Sequence, residues 1–291
     1  MSHTLEKNSP CKVNLLLNIL GKRPDGFHEL ETIMQPVNLC DQLAFARGGS
    51  SITLTCSEPT LPTDASNLVH RAAVAFLQQA KIADGVTIHL EKKIPMAAGL
   101  GGGSGNAATT LLAMNELFGA PLTLAELDAI AASLGSDIPF FLQDKPALAV
   151  GRGEKVTSLA PFAALRGAAF LLIHPGFGIA TAWAYKELAR FPAALNGERG
   201  RAEKLIALLN STDPAVAGAA FYNSLEAPAL DKYPLLALYQ EFLRANGAAA
   251  TLMSGSGSTT FAIARSEADA QRLQELVKAK FGPCWTAVIP V

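Results

Sequence analysis

The sequence predicts an α+β fold, in which strands and helices occur in mixed order rather than in regular alternation. Some short segments place apolar residues at every second position, which indicates strands, and longer segments place them three or four positions apart, which indicates helices. The chain has 291 residues, of which 49% are apolar and 17% are charged. This composition excludes a disordered chain, and this length fits one large domain or two small ones.

The first half of the chain contains two predicted strands and three predicted helices. Strands are predicted at residues 52–56 and 86–90, and helices at 67–80, from the end of the Gly99–Gly105 loop to about 119, and from 123 to 135. The last of these helices has the clearest ends. Thr123 and Glu126 form a capping-box pattern at its start, and Gly135 ends it.

The second half begins after about Gly153 and has its own pattern. Strands are predicted at residues 170–173, 249–253, 259–264 and 285–289. Ser266 and Asp269 indicate the start of a helix before the last strand. Residues 191–213 are rich in charged and small residues, which predicts surface helices and loops. We therefore expect two domains, 1–155 and 156–291.

Charge and cysteine content exclude several classes of protein. With 24 Lys and Arg against 25 Asp and Glu, the chain lacks the basic surplus of a dedicated nucleic-acid binder. The four cysteines, Cys11, Cys40, Cys56 and Cys284, form no Cys-x-x-Cys pair, which predicts reduced, mostly buried thiols in a cytoplasmic protein. The N-terminal segment MSHTLEKNSP has no apolar core, and no segment has the roughly 20 predominantly apolar residues of a membrane span, so we expect a soluble protein without a signal peptide.

The most informative segment is PMAAGLGGGSGNAATTLL, which starts at Pro95 and lies between a predicted strand and a predicted helix. Five of the seven residues from Gly99 to Gly105 are glycines, which let a backbone approach a ligand closely. The helix N-terminus that follows can bind phosphate through backbone N–H groups. The loop has no lysine, which excludes a Walker motif, and its glycine spacing does not fit the dinucleotide pattern. A plain flexible turn is the alternative.

A second glycine-rich loop, Ser254 to Ser258, lies between two predicted strands. Its composition fits a second contribution to a ligand site. A hairpin with a bulged turn would give the same sequence pattern, so this loop alone does not decide between the two.

Three polar residues are candidates for chemistry near the first loop. If residues 11–18 form a strand, Lys12 and Asn14 share one face, roughly 7 Å apart. The alternative, which the residues alone favour, is a polar solvent face on an edge strand. Asp137 precedes Ile138-Pro139, and its alternative role is to cap a helix. A lysine and a carboxylate suit phosphoryl transfer, which needs positioning and neutralisation of charge.

Phe27 and His28 follow a predicted turn at Asp25-Gly26. Together, an aromatic ring and an imidazole can stack on a planar base and hydrogen-bond its edge. The alternatives are core packing for Phe27 and an exposed polar position for His28.

The motifs resemble those of a known family. PMAAGLGGGSGNAA resembles the central phosphate-loop motif of the GHMP kinase superfamily. SPCKVNLLLNILGKRPDGFHELETIMQ, GSDIPFF and LMSGSGST resemble the remaining motifs of the branch that phosphorylates a cytidyl diphosphate substrate, in the same order. The matching segments run from residue 9 to residue 259. The resemblance implies a two-domain fold, with a ribosomal-protein-S5-like ATP-binding domain at 1–155 and a ferredoxin-like substrate domain at 156–291.

The resemblance also implies an activity. ATP, with Mg²⁺, would phosphorylate the 2-hydroxyl of 4-diphosphocytidyl-2-C-methyl-D-erythritol in the non-mevalonate route to isoprenoids. The partner would be this small molecule, with no nucleic acid and no membrane, and no oligomeric state is implied. The alternatives are another GHMP kinase, of the homoserine or mevalonate type, and a nucleotide-binding homologue without catalysis. An interaction module is disfavoured, because the sequence lacks linkers, repeats and amphipathic tails.

Site residues follow from the same resemblance. The implied catalytic residues are Asp137, as the base, and Lys12, as its charge partner. The implied ATP-binding residues are Pro95, Met96, Ala97, Ala98, Gly99, Leu100, Gly101, Gly102, Gly103, Ser104 and Gly105, together with Asn67, Leu68 and Lys92. The implied substrate-binding residues are Asn14, Phe27, His28, Gly255, Ser256 and Gly257.

The chain departs from the family pattern at three positions. Phe27 replaces the usual Tyr, which keeps a ring face and loses a hydroxyl. Gly105 replaces the second Ser of GGGSSNAA, which removes a hydroxyl that could reach a metal or phosphate. Cys11 replaces an Ala beside Lys12. No metal ligands are assigned.

Overall fold

The structure is a computed structural model that describes residues 4–211 and 213–291. Met1–His3, within the predicted leaderless N-terminus, and Thr212, within the predicted surface region, lie outside the described residues. The chain packs as two compact units, each discontinuous in sequence. Unit 1 contains the residues up to Cys11, Leu39–Pro95 and Gly101–Asp144. Unit 2 contains Lys12–Asn38, Met96–Leu100 and Lys145–Val291.

Two long strands contribute residues to both units. They are β1 (Thr4–Lys22) and β2 (His28–Arg47). Unit 1 also contains the strands β3 (Ile52–Cys56) and β4 (Val86–Glu91) and the helices α1 (Leu68–Ala80), α2 (Gly102–Leu117) and α3 (Leu124–Leu134). In this unit β4 pairs with β2 in antiparallel register, with Gln42 opposite Glu91, and with β3 in parallel register.

Local sequence signals explain several elements of unit 1. Val86, Ile88 and Leu90 are buried along β4 and alternate with more exposed residues, as the period-two pattern predicts. Thr123 and Glu126 form the predicted capping box at the start of α3, and Gly135 follows its end. These predictions are confirmed.

The boundary between the glycine loop and α2 differs from the prediction. The helix begins at Gly102, so four residues of the predicted loop form its first turn. Gly101 takes a left-handed conformation, with φ of 71°, and the N–H of Gly105 donates to the Gly101 carbonyl at 2.8 Å. The left-handed residue reverses the chain before the helix, and glycine adopts it without a Cβ penalty.

Unit 2 contains a four-stranded antiparallel sheet. Its strands are β7 (Ala169–His174), β9 (Ala250–Met253), β10 (Thr260–Ala264) and β11 (Trp285–Pro290), in the order β11-β7-β10-β9. Leu171 lies opposite Ala262 on one side and Val288 on the other. The four predicted strands of the second half are therefore confirmed. The remaining strands of this unit, β5 (Ala147–Gly151), β6 (Lys155–Ser158) and β8 (Tyr222–Asn223), pair respectively with β2, β5 and β1.

The described helices of unit 2 are α4 (Thr181–Glu187), α5 (Pro192–Leu195), α6 (Arg201–Ser211), α7 (Pro214–Gly218), α8 (Glu226–Lys232), α9 (Pro234–Ala245) and α10 (Glu267–Phe281). α10 packs on β7, β10 and β11, and α9 packs on β9 and β10. Leu236, Leu243, Leu273 and Val277 carry the apolar faces of these two helices into the core. Burial of such faces removes apolar surface from water, which stabilises the unit.

The mixed arrangement confirms the predicted α+β class. α6 is a surface helix, as predicted, because Ala202, Leu205 and Leu209 form one buried face at helical spacing while Glu203, Lys204 and Asn210 are exposed. The degree of cysteine burial differs from the prediction. All four cysteines remain thiols, yet only Cys11 is buried and the other three are half-buried. In the described part of the chain, no helix is long and apolar enough to span a bilayer.

Candidate active site

Lys12 and Asn14 lie side by side on β1 in unit 2. The Lys12 ammonium donates to Asn14 Oδ1 at 2.5 Å and to the Gly99 carbonyl at 3.1 Å. Only 3% of Lys12 and 2% of Asn14 is exposed, so a polar solvent face on an edge strand, which the residues alone favoured, is wrong. A buried ammonium needs oxygen acceptors, and these two contacts supply them.

A second pair of hydrogen bonds fixes the Asn14 amide. Its Nδ2 donates to Thr32 Oγ1 at 2.8 Å, and the Thr32 hydroxyl donates to the Leu16 carbonyl at 2.5 Å. Because the amide nitrogen is committed to Thr32, Asn14 Oδ1 faces Lys12. The lysine is therefore held by a fixed acceptor rather than by a mobile one.

Gly99 joins the first glycine loop to the second. Its φ is 76°, and a Cβ on Gly99 would lie 2.0 Å from the Ser254 carbonyl oxygen, so only glycine fits. The Ser254 hydroxyl donates to the Gly99 carbonyl at 2.9 Å, the same oxygen that Lys12 contacts. The Thr259 N–H donates to the Ala98 carbonyl at 3.1 Å. The structure thus brings Lys12, Gly99 and the second loop together within unit 2.

The second loop is a hairpin connection between β9 and β10, and its residues Ser254 to Ser258 are all buried. Gly255 and Gly257 both have positive φ. A Cβ built on Gly255 would lie 3.3 Å from Lys12 Nζ, which shows how closely this backbone approaches the lysine. Ser256 shares a hydrogen bond of 3.0 Å with Thr181 at the start of α4. The second glycine loop is therefore a hairpin connection, and as a hairpin it still approaches Lys12 closely enough to contribute to a ligand site.

In unit 1, the N-terminus of α2 presents backbone donors. The first N–H groups of a helix have no partner within the helix, and here they belong to Gly102, Gly103 and Ser104. The Gly105 N–H already donates to the Gly101 carbonyl. These three donors and the partial positive charge of a 16-residue helix suit an anion such as a phosphate.

A buried polar network lies beneath this helix start. Asp41 is fully buried, and its carboxylate accepts the N–H groups of Lys93 and Ile94 at 2.7 and 2.9 Å. It also pairs with the ammonium of Lys92 and accepts Asn106 Nδ2 at 3.0 Å. The carboxylate therefore ties the segment after β4 to the second turn of α2.

Two further residues predicted for the nucleotide lie at the start of α1. Asn67 caps the helix by accepting the Val69 N–H at 2.9 Å, and its Nδ2 donates to the Pro62 carbonyl at 2.6 Å. Leu68 is close to the glycine helix start, because its Cδ1 would be 3.7 Å from a Cβ on Gly103. The structure thus brings Leu68 next to Gly103.

Asp137 lies close to the start of a short helix, as its position before Ile138-Pro139 predicts. It lies in the turn after α3, one residue before the cap of the 3-10 helix Pro139–Leu142, which is Ile138. The turn closes when the Ile138 N–H donates to the Gly135 carbonyl at 3.3 Å. Asp137 is half-buried.

Phe27 is not a core residue, because half of it is exposed to solvent. Its N–H donates to Asp25 Oδ1 at 3.1 Å, and Arg23 pairs with Asp25, which together hold the turn. The guanidinium carbon of Arg152 lies 4.7 Å from the ring centroid. Such a contact attracts the cation to the ring and fixes the ring's orientation.

His28 is half-buried, so the alternative of an exposed polar position is wrong. Its ring centroid lies 5.0 Å from that of Tyr185. Burial lowers the pKa of His28, and the nearby positive charge of Lys22 lowers the pKa further. The imidazole is therefore neutral at pH 7, with one ring nitrogen that donates and one that accepts.

Several residues that contact the predicted site residues had no signal that singled them out in the sequence. In unit 1 they are Asp41 and Asn106, and in unit 2 they are Thr32, Arg152, Thr181, Tyr185 and Asn223. Asn223 donates from Nδ2 to the carbonyls of Met253 and Gly255, both at 2.8 Å. It belongs to a two-residue strand, which is too short to produce a periodic signal.

Comparison with known proteins identifies the class of this fold and site. The family model for the GHMP kinases N terminal domain matches residues 67–145, and the model for the GHMP kinases C terminal region matches residues 192–283. These matches contain the glycine loop, Asp137 and the second glycine loop.

Curated relatives narrow the class. The 4-diphosphocytidyl-2-C-methyl-D-erythritol kinase of Acaryochloris marina is 41% identical over 280 residues, which cover 92% of this chain and 90% of the relative. The enzyme of that name from Pelobacter propionicus is 38% identical over 288 residues, 98% of each chain. The chain therefore belongs to the GHMP kinases and, within them, to the 4-diphosphocytidyl-2-C-methyl-D-erythritol kinase family.

Solved structures agree with this assignment. A crystal structure of 4-(cytidine 5'-diphospho)-2C-methyl-D-erythritol kinase is 34% identical, covers 99% of this chain and 100% of its own, and has a TM-score of 0.81. A homoserine kinase from Cytophaga hutchinsonii has a TM-score of 0.76 at 20% identity, covers 100% of this chain and 95% of its own, and shows the shared fold alone. The predicted GHMP kinase fold and the prediction of a small-molecule kinase are confirmed.

Proposed function

We propose that this protein uses ATP to phosphorylate the 2-hydroxyl of 4-diphosphocytidyl-2-C-methyl-D-erythritol, releasing ADP, in the non-mevalonate route to isoprenoid precursors. The observation that carries this proposal is the identity of about two residues in five to enzymes of that name, over nine-tenths or more of each chain. The buried lysine beside two glycine loops supports the same chemistry.

The reacting groups are two side chains with different tasks. Asp137 accepts the proton of the substrate 2-hydroxyl while the hydroxyl oxygen attacks the γ-phosphorus of ATP. The bond from that phosphorus to the ADP oxygen then breaks. Lys12 neutralises negative charge that builds up on the transferred group. Asn14 fixes the position of the Lys12 ammonium, which the hydrogen bond between Lys12 and Asn14 supports. Asn14 also helps to place the substrate.

The ATP site consists of Pro95 to Gly105, with Asn67, Leu68 and Lys92 near the adenosine. The N–H groups at the start of α2 suit the ATP phosphates because they point out of a helix terminus without intrahelical partners. The Gly105 N–H is committed within the helix, so Gly105 contributes through the close approach that its lack of a side chain allows rather than as a donor. The ammonium of Lys92 forms an ion pair with Asp41. Lys92 therefore contacts the adenosine through its carbon chain, or through an ammonium that it shares between Asp41 and the nucleotide.

Mg²⁺ accompanies ATP in this proposal. This ion usually keeps several waters and binds through substrate phosphates and one or two protein oxygens, so a dedicated protein cage is not required. The Ser104 hydroxyl, in the first turn of α2, is an oxygen ligand that fits. When bound, the ion would neutralise charge on the phosphates.

The cytidyl group binds at Phe27 and His28. The exposed ring of Phe27 offers a face for stacking, and the neutral imidazole of His28 offers one donor and one acceptor to the edge of cytosine. Gly255, Ser256 and Gly257 close over the substrate beside Lys12.

Domain organisation, compartment and partners follow the same proposal. The proposed ATP-binding domain spans residues 1–155 and the proposed substrate domain spans residues 156–291, which the separate matches at 67–145 and 192–283 support. Lys12–Asn38 and Met96–Leu100 of the first domain pack within unit 2. The partner is a small molecule rather than a nucleic acid or a membrane. A cytoplasmic location fits the four thiols, since disulfides are rare in reducing compartments.

Another GHMP kinase activity, on homoserine or mevalonate, is the alternative. The homoserine kinase is 20% identical and a mevalonate kinase from L. major is 15% identical, so both share the fold alone. Phe27 and His28 favour the cytidyl substrate, because homoserine needs neither a stacking ring nor an edge contact. We expect turnover with the cytidyl substrate and little with the same alcohol lacking CMP or with homoserine. Comparable rates with and without the nucleotide group would reject the cytosine site.

A different measurement tests the alternative of a nucleotide-binding homologue without catalysis. Asp137→Asn removes the base and keeps the size of the side chain, so ATP affinity should stay near that of the wild type while turnover is lost. Turnover within a few-fold of the wild type would reject Asp137 as the base.

A further inference from the structure

The loop Ser254–Ser258, which we call the hairpin loop, is held by one buried side chain from outside the hairpin. Asn223 is 2% exposed, and its Nδ2 donates to the carbonyls of Met253 and Gly255, both at 2.8 Å. Its Oδ1 accepts the Leu225 N–H at 2.9 Å. Both donors and one acceptor of the amide are therefore used, which leaves it a single orientation.

Asn223 is attached to the strand that carries Lys12. It belongs to β8, which pairs with β1 in parallel register, with Asn223 opposite Leu17. The pairing continues at Ser224, whose N–H donates to the Leu17 carbonyl at 2.8 Å and whose hydroxyl accepts the Ile19 N–H at 2.9 Å. The position of the Asn223 amide is thus fixed relative to β1.

The hairpin loop meets Lys12 from the other direction. Lys12 Nζ and the Ser254 hydroxyl donate to the same Gly99 carbonyl, and a Cβ on Gly255 would lie 3.3 Å from Lys12 Nζ. The contacts therefore close a ring that runs from β1 through β8 and Asn223 to Gly255, and back through Gly99 to Lys12 on β1.

We propose that Asn223 is a positioning residue for phosphoryl transfer, which holds the Gly255 backbone at a fixed distance from Lys12. This inference rests on the proposed function. Loss of the two donated bonds leaves two buried carbonyls without their partner, so the hairpin loop shifts to satisfy them. Small displacements near a reacting group lower the rate steeply. The N–H groups of Gly102, Gly103 and Ser104, which hold the ATP phosphates in the proposed function, belong to a different element, α2.

A purely structural role makes a different prediction. If Asn223 served only to stabilise the fold, its loss would lower the melting temperature and reduce all kinetic constants together, in proportion to the folded fraction. A positioning role lowers kcat of the fully folded enzyme and leaves KM for ATP close to its wild-type value.

The test compares Asn223→Asp with Asn246→Asp. Asn223→Asp keeps the shape of the side chain and removes both donors. Asn246 is a matched control, because its Nδ2 also donates to a backbone carbonyl, that of Phe242 at 2.8 Å, at the end of α9. Each protein is measured for kcat, for KM of both substrates, for melting temperature and for hydrogen exchange of the backbone amides.

We expect Asn223→Asp to lower kcat by tenfold or more, to change KM for ATP by less than twofold, and to speed exchange at Gly255 to Gly257 more than in β10. Asn246→Asp should leave kcat and this exchange unchanged. A kcat of Asn223→Asp within twofold of the wild type, or a loss that only follows the folded fraction, would overturn the proposal.

Two additions keep the test decisive. If Asn223→Asp does not fold, Asn223→Ser, which keeps one donor and adds no charge, should still lower kcat severalfold, and an unchanged kcat would overturn the proposal. Turnover of the wild type with the cytidyl substrate is measured first. If the wild type shows none, the proposed function fails, whereas the exchange at Gly255 to Gly257 still tests whether Asn223 holds the loop.

Discussion

Gly105 stands where the family usually has Ser, and its surroundings explain the exchange. A Cβ at this position would lie 2.7 Å from the Pro10 carbonyl oxygen, 3.1 Å from Ser9 Oγ and 3.5 Å from Phe141 Cδ1. The first distance is too short for a real contact, and the atom it meets belongs to the β1 backbone. In this protein, α2 approaches β1 too closely at position 105 for any side chain to fit there.

We therefore expect Gly105→Ala to destabilise the protein, although alanine favours helix. Replacing glycine within a helix gains at most about 1 kcal/mol. Forcing a methyl group into a packed site costs about 1–3 kcal/mol. We expect a cost in the upper part of this range, because the atom that the methyl group meets, the Pro10 carbonyl oxygen, belongs to the backbone. The expected net loss is about 1–2 kcal/mol, or a melting temperature about 2–8 °C lower.

The assay is thermal unfolding without nucleotide, with Gly103→Ala as the matched control. Gly103 lies in the same first turn of α2, but a Cβ there would meet only Leu68 Cδ1, at an ordinary 3.7 Å. Gly103→Ala should melt at or above the wild-type temperature. If Gly105→Ala were as stable as Gly103→Ala, the close approach of α2 to β1 would be refuted.

Three further predictions concern other parts of the site. Asp41→Asn leaves the Lys92 ammonium buried without a carboxylate, so the free energy of unfolding measured in urea should fall by about 3–5 kcal/mol, and a loss under 1 kcal/mol would contradict the buried ion pair. Arg152→Met removes a cation–π contact with Phe27 worth about 0.5–1 kcal/mol, so KM for the cytidyl substrate should rise by about two- to fivefold with kcat unchanged. A fall in kcat alone would count against a role of Arg152 in orienting the Phe27 ring. The pKa of His28 is lowered by burial, so the folded state binds fewer protons than the unfolded state between the two pKa values. The contribution of this group to stability is therefore present above about pH 6.5 and is lost as the pH falls through the lowered pKa. KM for the cytidyl substrate should rise over the same pH range. A KM that does not depend on pH there, or that depends on it equally in His28→Gln, would exclude the imidazole from substrate binding.

The sequence predicts best the features that depend on neighbours in the chain. The capping box at Thr123, the alternation along β4 and the cap at Ser266 all involve residues within a few positions, and all are confirmed. Such signals reflect the geometry of a single turn or strand, which the local residues determine by themselves.

Features that depend on distant segments could not be predicted from the residues alone. The alternation around Lys12 fits a strand with a solvent face, and only packing on both sides shows that this polar face is buried. Asp41 acquires its role from Lys92 and Asn106, which are more than 50 positions away. Asn223 meets Gly255 only because β8 pairs with β1. The resemblance to known motifs supplied Asp137 and Lys12, whereas the residues that hold Lys12 required the structure.

The identity of the product tests the proposed function most directly. The protein is incubated with ATP, Mg²⁺ and 4-diphosphocytidyl-2-C-methyl-D-erythritol, and the products are resolved by phosphorus NMR and mass spectrometry. The proposed function predicts one ADP for each molecule of substrate that gains a phosphomonoester at its 2-hydroxyl, with the diphosphate left intact. Release of ADP without that phosphomonoester, or phosphorylation at a different hydroxyl, would contradict it.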